Sequence, residues 1–322
     1  MGMSLSSEIS ANRLRQSRVA NQNSVAAIVA TYNRRLELEV CLGALLEQTV
    51  RLDAIYVIDN ASIDDTAEFI STLQEPSIRY RALDSNVGSA GGFRRGMELA
   101  YDEGFDWLWI TDNDSVPSRN CLEQLMNTAL ANPAVMALAP TKLRENDRAI
   151  LKCDTIWDRA TNTARTPTDR EYRECPLIEV DWVPNTGLLV SRNAVSAVGH
   201  LRADLFAFGE DVEYCLRIRK HSKILLVTGS VVMHPEMGTG WPVPFASLRK
   251  FYLLRRNDVY LSLRGLTVPK TTILQAAWQW FRLSLNIVRK QDHPWKRLKV
   301  VTLATFHGVL GRLGPVPTIL DT

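Results

Sequence analysis

Trp107-Leu-Trp-Ile-Thr-Asp-Asn-Asp114 is the stretch that decides the fold. Its unbroken apolar start fits a strand buried on both faces, and it ends abruptly on two carboxylates in D-x-D spacing. Three upstream segments share this design. Val25-Ala-Ala-Ile-Val-Ala30 closes on Thr31-Tyr32-Asn33-Arg34, Ala54-Ile-Tyr-Val-Ile58 closes on Asp59-Asn60, and Ile78 to Leu83 precedes Asn86. Helical patterns lie between them. Leu38, Cys41, Leu42, Leu45 and Leu46 make one stripe, Asp64 or Asp65 caps a helix running to Leu73, and Gly91 to Glu103 is a helix with a glycine-rich entry. Strand and helix alternate four times in about ninety residues, which predicts a doubly wound, mostly parallel α/β sheet. Ligands of such sheets gather at the carboxyl ends of the strands, where each of these polar motifs falls.

Downstream the pattern loosens. Ala134 to Pro140 is expected to be a strand, and Lys142 to Glu179 shows no assignable period. Val180 to Ser191 contains Asp181-Trp182-Val-Pro-Asn185-Thr-Gly187 and then an apolar run. Phe206 to Arg219 starts as a loop and becomes a helix, Ile224 to Val232 is a strand, and His234 to Pro244 is a Gly/Pro-rich loop. This divides the chain into a polar flexible tail (1–23), an α/β domain (24–245) and a basic amphipathic helical region (246–322).

With 322 residues, 46 % of them apolar, the chain can build one large domain plus an elaboration. Its net charge of only +3 provides no global field for nucleic acid. The charge is unevenly spread. Residues 249–322 hold 13 lysines and arginines against 3 acidic residues, a net of +10, and the remainder holds 25 against 32, a net of −7. A basic C-terminal part suggests an anionic partner, with a membrane surface or nucleic acid as candidates. Cys41, Cys121, Cys153, Cys175 and Cys215 have no metal-ligand spacing and read as thiols of a reducing compartment. Residues 1–23 lack an apolar signal core, and no apolar run reaches the roughly 18–20 residues that span a bilayer. The expectation is a cytoplasmic protein, peripheral on the inner face of the membrane.

Several motifs carry chemistry. Asp112 and Asp114, at a strand end, can hold a hard divalent cation, which neutralises a departing diphosphate. Asn86, Gly88, Gly91 and Gly92, with Arg95 following, offer a close backbone approach and a cation to phosphates. Thr31, Tyr32, Asn33 and Arg34 with Asp59 and Asn60 provide a ring, amides and a carboxylate that can hold a pyrimidine nucleoside; as isolated loops, structural turns are their plainer reading. Glu210 and Asp211 open a helix, where the macrodipole alone would favour acids; as neighbours they also raise one another's pKa, which suits a base. His234 follows a strand and can complete a metal shell or meet a diphosphate. Trp182 and Trp241 are candidates to stack on sugar or cover the acceptor; core packing is their plainer reading.

Thr31-Tyr-Asn-Arg34, Asp59-Asn-Ala-Ser62 with Asp65-Thr66, the Asn86 to Gly96 segment and Asp112-Asn-Asp114 together resemble family 2 of the inverting glycosyltransferases, which have the GT-A fold. Asn86-x-Gly-x-Ala-Gly-Gly-Phe93-x-x-Gly96 is especially similar to bacterial galactofuranosyltransferases and related rhamnosyltransferases. The resemblance covers roughly residues 25 to 260 and departs at Asn113, where galactofuranosyl enzymes often have Asp. It implies a GT-A catalytic domain over 24–245, a UDP- or dTDP-sugar donor, and Mn²⁺ or Mg²⁺ on Asp112, Asp114 and His234. It also implies Asp211 as catalytic base with Glu210 beside it, and a nucleotide site that includes Asn113 and Trp182. The expected reaction is inverting transfer of galactofuranose, or alternatively rhamnose, to a lipid-linked or oligosaccharide acceptor of a cell-surface glycan.

Leu274, Ala277, Trp278, Phe281, Leu285 and Val288 fall on one helical face, with Gln275, Gln279, Arg282, Asn286 and Arg289 opposite. Aromatics beside cations suit an interfacial helix; a helix docked on the domain or on a second copy in a homo-oligomer is the rival. Three other functions compete. A nucleotidyl or phosphate transferase would not need Glu210-Asp211, a non-catalytic membrane- or glycan-binding protein would not need the strand-end carboxylates, and the acidic half opposes a nucleic-acid binder, so nucleic acid is excluded as a partner.

Overall fold

The computed structural model describes residues 23–158, 160–235, 248–267, 269–290 and 293–317. Of the tail expected over 1–23 only Asn23 is among them, and Trp241 and most of the Gly/Pro loop lie outside the described residues.

The first half alternates as its sequence dictates: β1 (Val25–Thr31), α1 (Arg35–Leu46), β2 (Ala54–Asp59), α2 (Thr66–Thr72), β3 (Ile78–Ala82), α3 (Gly88–Asp102), β4 (Trp107–Asp112). These four strands are parallel in the order β3-β2-β1-β4. Side chains along a strand alternate between faces. In β1, Ala26 and Ile28 enter one apolar cluster, while Val25, Ala27 and Val29 enter the other. Both faces are covered, so the strand reads as a continuous apolar run, and each fully buried Val or Ile contributes on the order of 2 kcal/mol.

Beyond β4 the sheet becomes mixed. It continues through β5 (Val116–Pro117), α4 (Cys121–Ala131) and β6 (Ala137–Arg144). The stretch without a sequence period contains a small hairpin, β7 (Ile156–Asp158) and β8 (Thr163–Arg165), then α5 (Asp169–Glu174), capped reciprocally by Thr168 and Glu171. Next come β9 (Leu177–Val180), β10 (Leu188–Ser191), α6 (Arg192–Val198), α7 (Glu210–Ile218) and β11 (Ile224–His234). β10 runs antiparallel between β4 and β6, and β11 is parallel to β6. The carboxyl ends of β4 and β11 thereby reach the same edge of the sheet as the end of β1.

The C-terminal helices are α8 (Leu248–Leu263), α9 (Ile273–Lys290) and α10 (Pro294–Leu310). They build a third core around Phe251, Tyr252, Ile287, Val300, Val301 and Ala304, which also takes in Phe206 and Phe208. Helix α9 buries Ala276, Ser284 and Ile287 and leaves Leu274, Trp278, Phe281, Leu285 and Val288 exposed. Among the described residues no helix is long and apolar enough to cross a membrane.

Candidate active site

Asp112 ends β4, Asp114 follows two residues on, and His234 ends β11. One ligand atom from each lies within 4.8 Å of the others. His234 Nε2 is 3.1 Å from Asp114 Oδ1 and 4.0 Å from Asp112 Oδ2. The other ring nitrogen, Nδ1, is 2.6 Å from the Pro235 carbonyl. A proton on Nδ1 donated there leaves Nε2 as a lone-pair ligand facing the carboxylates. Thr186 Oγ1 donates to Asp112 Oδ2 at 2.7 Å, and Arg34 Nη1 to Asp114 Oδ2 at 2.6 Å. Two hard oxygens and an imidazole nitrogen fit a hard or borderline divalent cation.

The electrostatics are divided. Burial and the neighbouring Asp114 raise the Asp112 carboxyl. Burial also pushes Asp114 upward, but the hydrogen bond and charge of His234, with Arg34, outweigh it and leave that carboxyl below its ordinary value. For His234 burial opposes the imidazolium, yet the Asp114 hydrogen bond and both carboxylate charges raise its pKa.

The acid pair opens α7. Glu210 is buried; its Oε1 accepts from Ser89 Oγ at 3.2 Å, and its Oε2 has no partner among the described residues. Asp211 Oδ1 accepts from the Val212 N–H at 2.8 Å. Burial and the Asp211 charge raise the Glu210 carboxyl strongly. Asp211 is also raised, chiefly by burial and against its backbone hydrogen bonds, but less far. Asp112 contributes to both shifts, so its charge is felt by the pair.

The remaining expected residues sort into three places. Thr31 receives Asn113 Nδ2 at 2.9 Å, and both are buried, so Asn113 braces the end of β1. Asn33 ties the first two strand ends together: its N–H donates to Ser62 Oγ and its Oδ1 accepts from Ile63 N–H. Asp59 accepts from Ser62 N–H and Tyr80 Oη, Asn60 Oδ1 accepts weakly from Val87 N–H, and Tyr32 is exposed. Arg95 lies 3.5 Å from Glu98 on α3, and Trp182 packs on Trp157 with ring centroids 6.4 Å apart.

The helix begins earlier than the expected Gly91: α3 starts at Gly88, so Gly88 joins Gly91, Gly92 and Gly96 within it, all buried. A Cβ on Gly92 would sit 2.9 Å from Ala30 Cβ and Asn60 Nδ2, and one on Gly96 2.4 Å from Ile28 Cγ2. They let α3 lie close on β1 and β2. Asn86, the other polar member of the motif, accepts from Gly88 N–H at 2.8 Å. Sequence reading passed over Ser89 and Thr186, which hold Glu210 and Asp112. The cue for Thr186 was its place in Asn185-Thr-Gly187; Ser89 gave none.

A mixed, mostly parallel sheet with acidic strand ends and a C-terminal helical region defines a GT-A-type α/β protein. Residues 26–176 match the family described as Glycosyl transferase family 2. The chain is 28 % identical over 203 residues to galactofuranosyltransferase GlfT1 of Mycolicibacterium smegmatis, covering 60 % of this chain and 65 % of that protein. It is 24 % identical over 239 residues to the N-acetylglucosaminyl-diphospho-decaprenol L-rhamnosyltransferase of Mycobacterium tuberculosis, covering 66 % of this chain and 76 % of that one. The crystal structure of S. aureus TarS 1–349 shares the fold, with a TM-score of 0.54 and 13 % identity over 90 % of this chain and 82 % of that one.

Proposed function

We propose that the chain is a metal-dependent inverting glycosyltransferase that moves a sugar, galactofuranose first and rhamnose as the alternative, from a UDP- or dTDP-linked donor to a growing cell-surface glycan. One observation carries this reading: a three-ligand cluster at the ends of β4 and β11 shares its field with a buried acid pair opening α7. A cation site and a raised carboxylate are what displacement of a diphosphate by a hydroxyl needs.

Asp112, Asp114 and His234 would hold Mn²⁺ or Mg²⁺, which when bound neutralises the leaving diphosphate. The strand-end loops around Thr31, Tyr32, Asn33, Arg34, Asp59 and Asn60 hold the nucleoside and its phosphates. Asp211, whose carboxyl burial raises toward a better base, takes the acceptor's hydroxyl proton. The oxygen then bonds to the anomeric carbon from the opposite face, and the pair of the breaking C–O bond goes to the diphosphate.

The acceptor is read as lipid-linked and the enzyme as peripheral at the cytoplasmic face of the membrane. The exposed stripe Leu274, Trp278, Phe281, Leu285 and Val288, with exposed Arg282 and Arg289 on the same helix, supports a contact with anionic lipid. Asp211→Asn tests the base. Turnover should fall by roughly 10²–10⁴-fold while donor binding is spared; near-normal turnover would remove Asp211 from the mechanism.

A further inference from the structure

The loop that delivers the acid pair is strained. Phe206 has φ 67 and ψ −58, and the Ala207 N–H donates to the Leu205 carbonyl at 2.8 Å, which together make a γ-turn of the rare, unfavourable sense. Phe208 has φ 68 and Gly209 φ 87. Two bulky aromatic residues at positive φ persist only where the surroundings hold them there.

What holds them comes from α8. The side-chain nitrogen of Asn257 donates toward three carbonyls of this loop: Leu205 at 3.0 Å, Ala207 at 2.8 Å and Phe208 at 2.7 Å. Its Oδ1 accepts from Arg256 Nε at 2.9 Å. This orientation of the amide is the only one its partners allow, because a flip would set an oxygen against three carbonyl oxygens. Arg256 in turn reaches the Leu205 carbonyl at 2.9 Å through Nη2 and the Gly314 carbonyl at 2.5 Å through Nη1. Both residues are buried. On its far side the same loop is held by α3. Ala90 N–H donates to the Phe206 carbonyl at 3.1 Å, and Ser89 holds Glu210 itself.

We infer that Asn257, braced by Arg256, is a positioning residue for sugar transfer: its amide clamps the 205–209 loop and thereby sets Glu210 and Asp211 in the cleft. The inference rests on the reading of Asp211 as the base. Buried polar groups on a helix face normally cost stability unless fully bonded, and here every bond Asn257 donates, and one that Arg256 donates, goes to the loop that presents the acid pair. It also bears on the chain's organisation. The regions 24–245 and 246–322 would share one active site, with α8 completing it rather than only carrying an apolar surface.

Asn257→Asp is the sharpest variant. It keeps the shape and the acceptor facing Arg256, and replaces the donating group with an oxygen. The full-length protein is assayed for kcat, for UDP affinity with Mn²⁺ by calorimetry, and for amide exchange in residues 205–209. The expected result is a fall in kcat of roughly 100-fold with UDP affinity within about twofold of wild type, and faster exchange at Ala207, Phe208 and Gly209. Asn257→Gln, which retains the amide with a longer reach, should recover part of the rate, and it decides the matter if the aspartate variant does not fold. Wild-type kcat in either folded variant, or nucleotide affinity lost in parallel with turnover, would overturn the inference. If Asp211→Asn leaves turnover intact, the base assignment fails instead, and loop exchange still reports whether the clamp exists.

Discussion

Gly88→Ala and Gly43→Ala are the same chemical change in two helices, and the structure predicts opposite outcomes. Gly88 has φ +76, and an added Cβ would lie 1.9 Å from the Phe206 carbonyl oxygen and 2.6 Å from its carbon. The backbone conformation alone costs an L-residue about 1–2 kcal/mol. Moving the Phe206 carbonyl aside also sacrifices its hydrogen bond from Ala90, at about 1 kcal/mol. The total is about 2–3 kcal/mol of destabilisation. Gly43 lies exposed within α1, with nothing inside 4 Å of its added Cβ, so alanine there should stabilise by up to about 1 kcal/mol. Urea unfolding followed by circular dichroism measures both midpoints, and unchanged slopes make them comparable. Turnover should also fall in Gly88→Ala, because the displaced carbonyl belongs to the loop that presents Glu210. Equal stability of the two variants would refute the reasoning that α3 must touch the Phe206 backbone.

Two further outcomes follow from the electrostatics and the surface. Burial and Asp211 raise the folded-state pKa of Glu210, so its contribution is fully present below its unfolded value and is lost as pH climbs through the raised one. Glu210→Gln should therefore unfold later than wild type at mildly alkaline pH, by about 1.4 kcal/mol for each unit separating the two pKa values, and match it in acid; thermal melts across pH would show this, and a pH-independent difference would contradict it. Trp278→Glu should weaken co-sedimentation with vesicles containing anionic lipid about tenfold or more, most visibly at low salt, and leave nucleotide binding intact; unaltered sedimentation would dismiss the α9 stripe as the contact.

The parallel half of the fold was legible because both faces of its strands are buried. Burial on both sides writes Val25–Thr31, Ala54–Asp59 and Trp107–Asp112 as unbroken apolar runs with polar stops. One of those stops carries Asp112 and Asp114, which the structure brings together with His234 in the candidate site. The glycine-rich helix α3 was legible, but its start was placed three residues late, because Gly88 with φ +76 reads as a turn residue although the helix already begins there. The stretch 142–179 stayed opaque because its elements are three to six residues long, too short for any period. Lys142 and Asp154 look like surface charges in sequence, but they are fully buried partners at 2.7 Å. Asn257 left no trace at all, since a polar residue on a helix gives no hint that it faces three carbonyls of a distant loop.

Calorimetry of UDP and dTDP, each with and without Mn²⁺, on wild type and Asp114→Asn tests the central claim most directly. The account predicts that one nucleotide binds wild type in a metal-dependent manner, and that the variant loses the metal-dependent part. Metal-independent binding, or no binding of either nucleotide by folded protein, would contradict a cation-assisted transferase built on Asp112, Asp114 and His234.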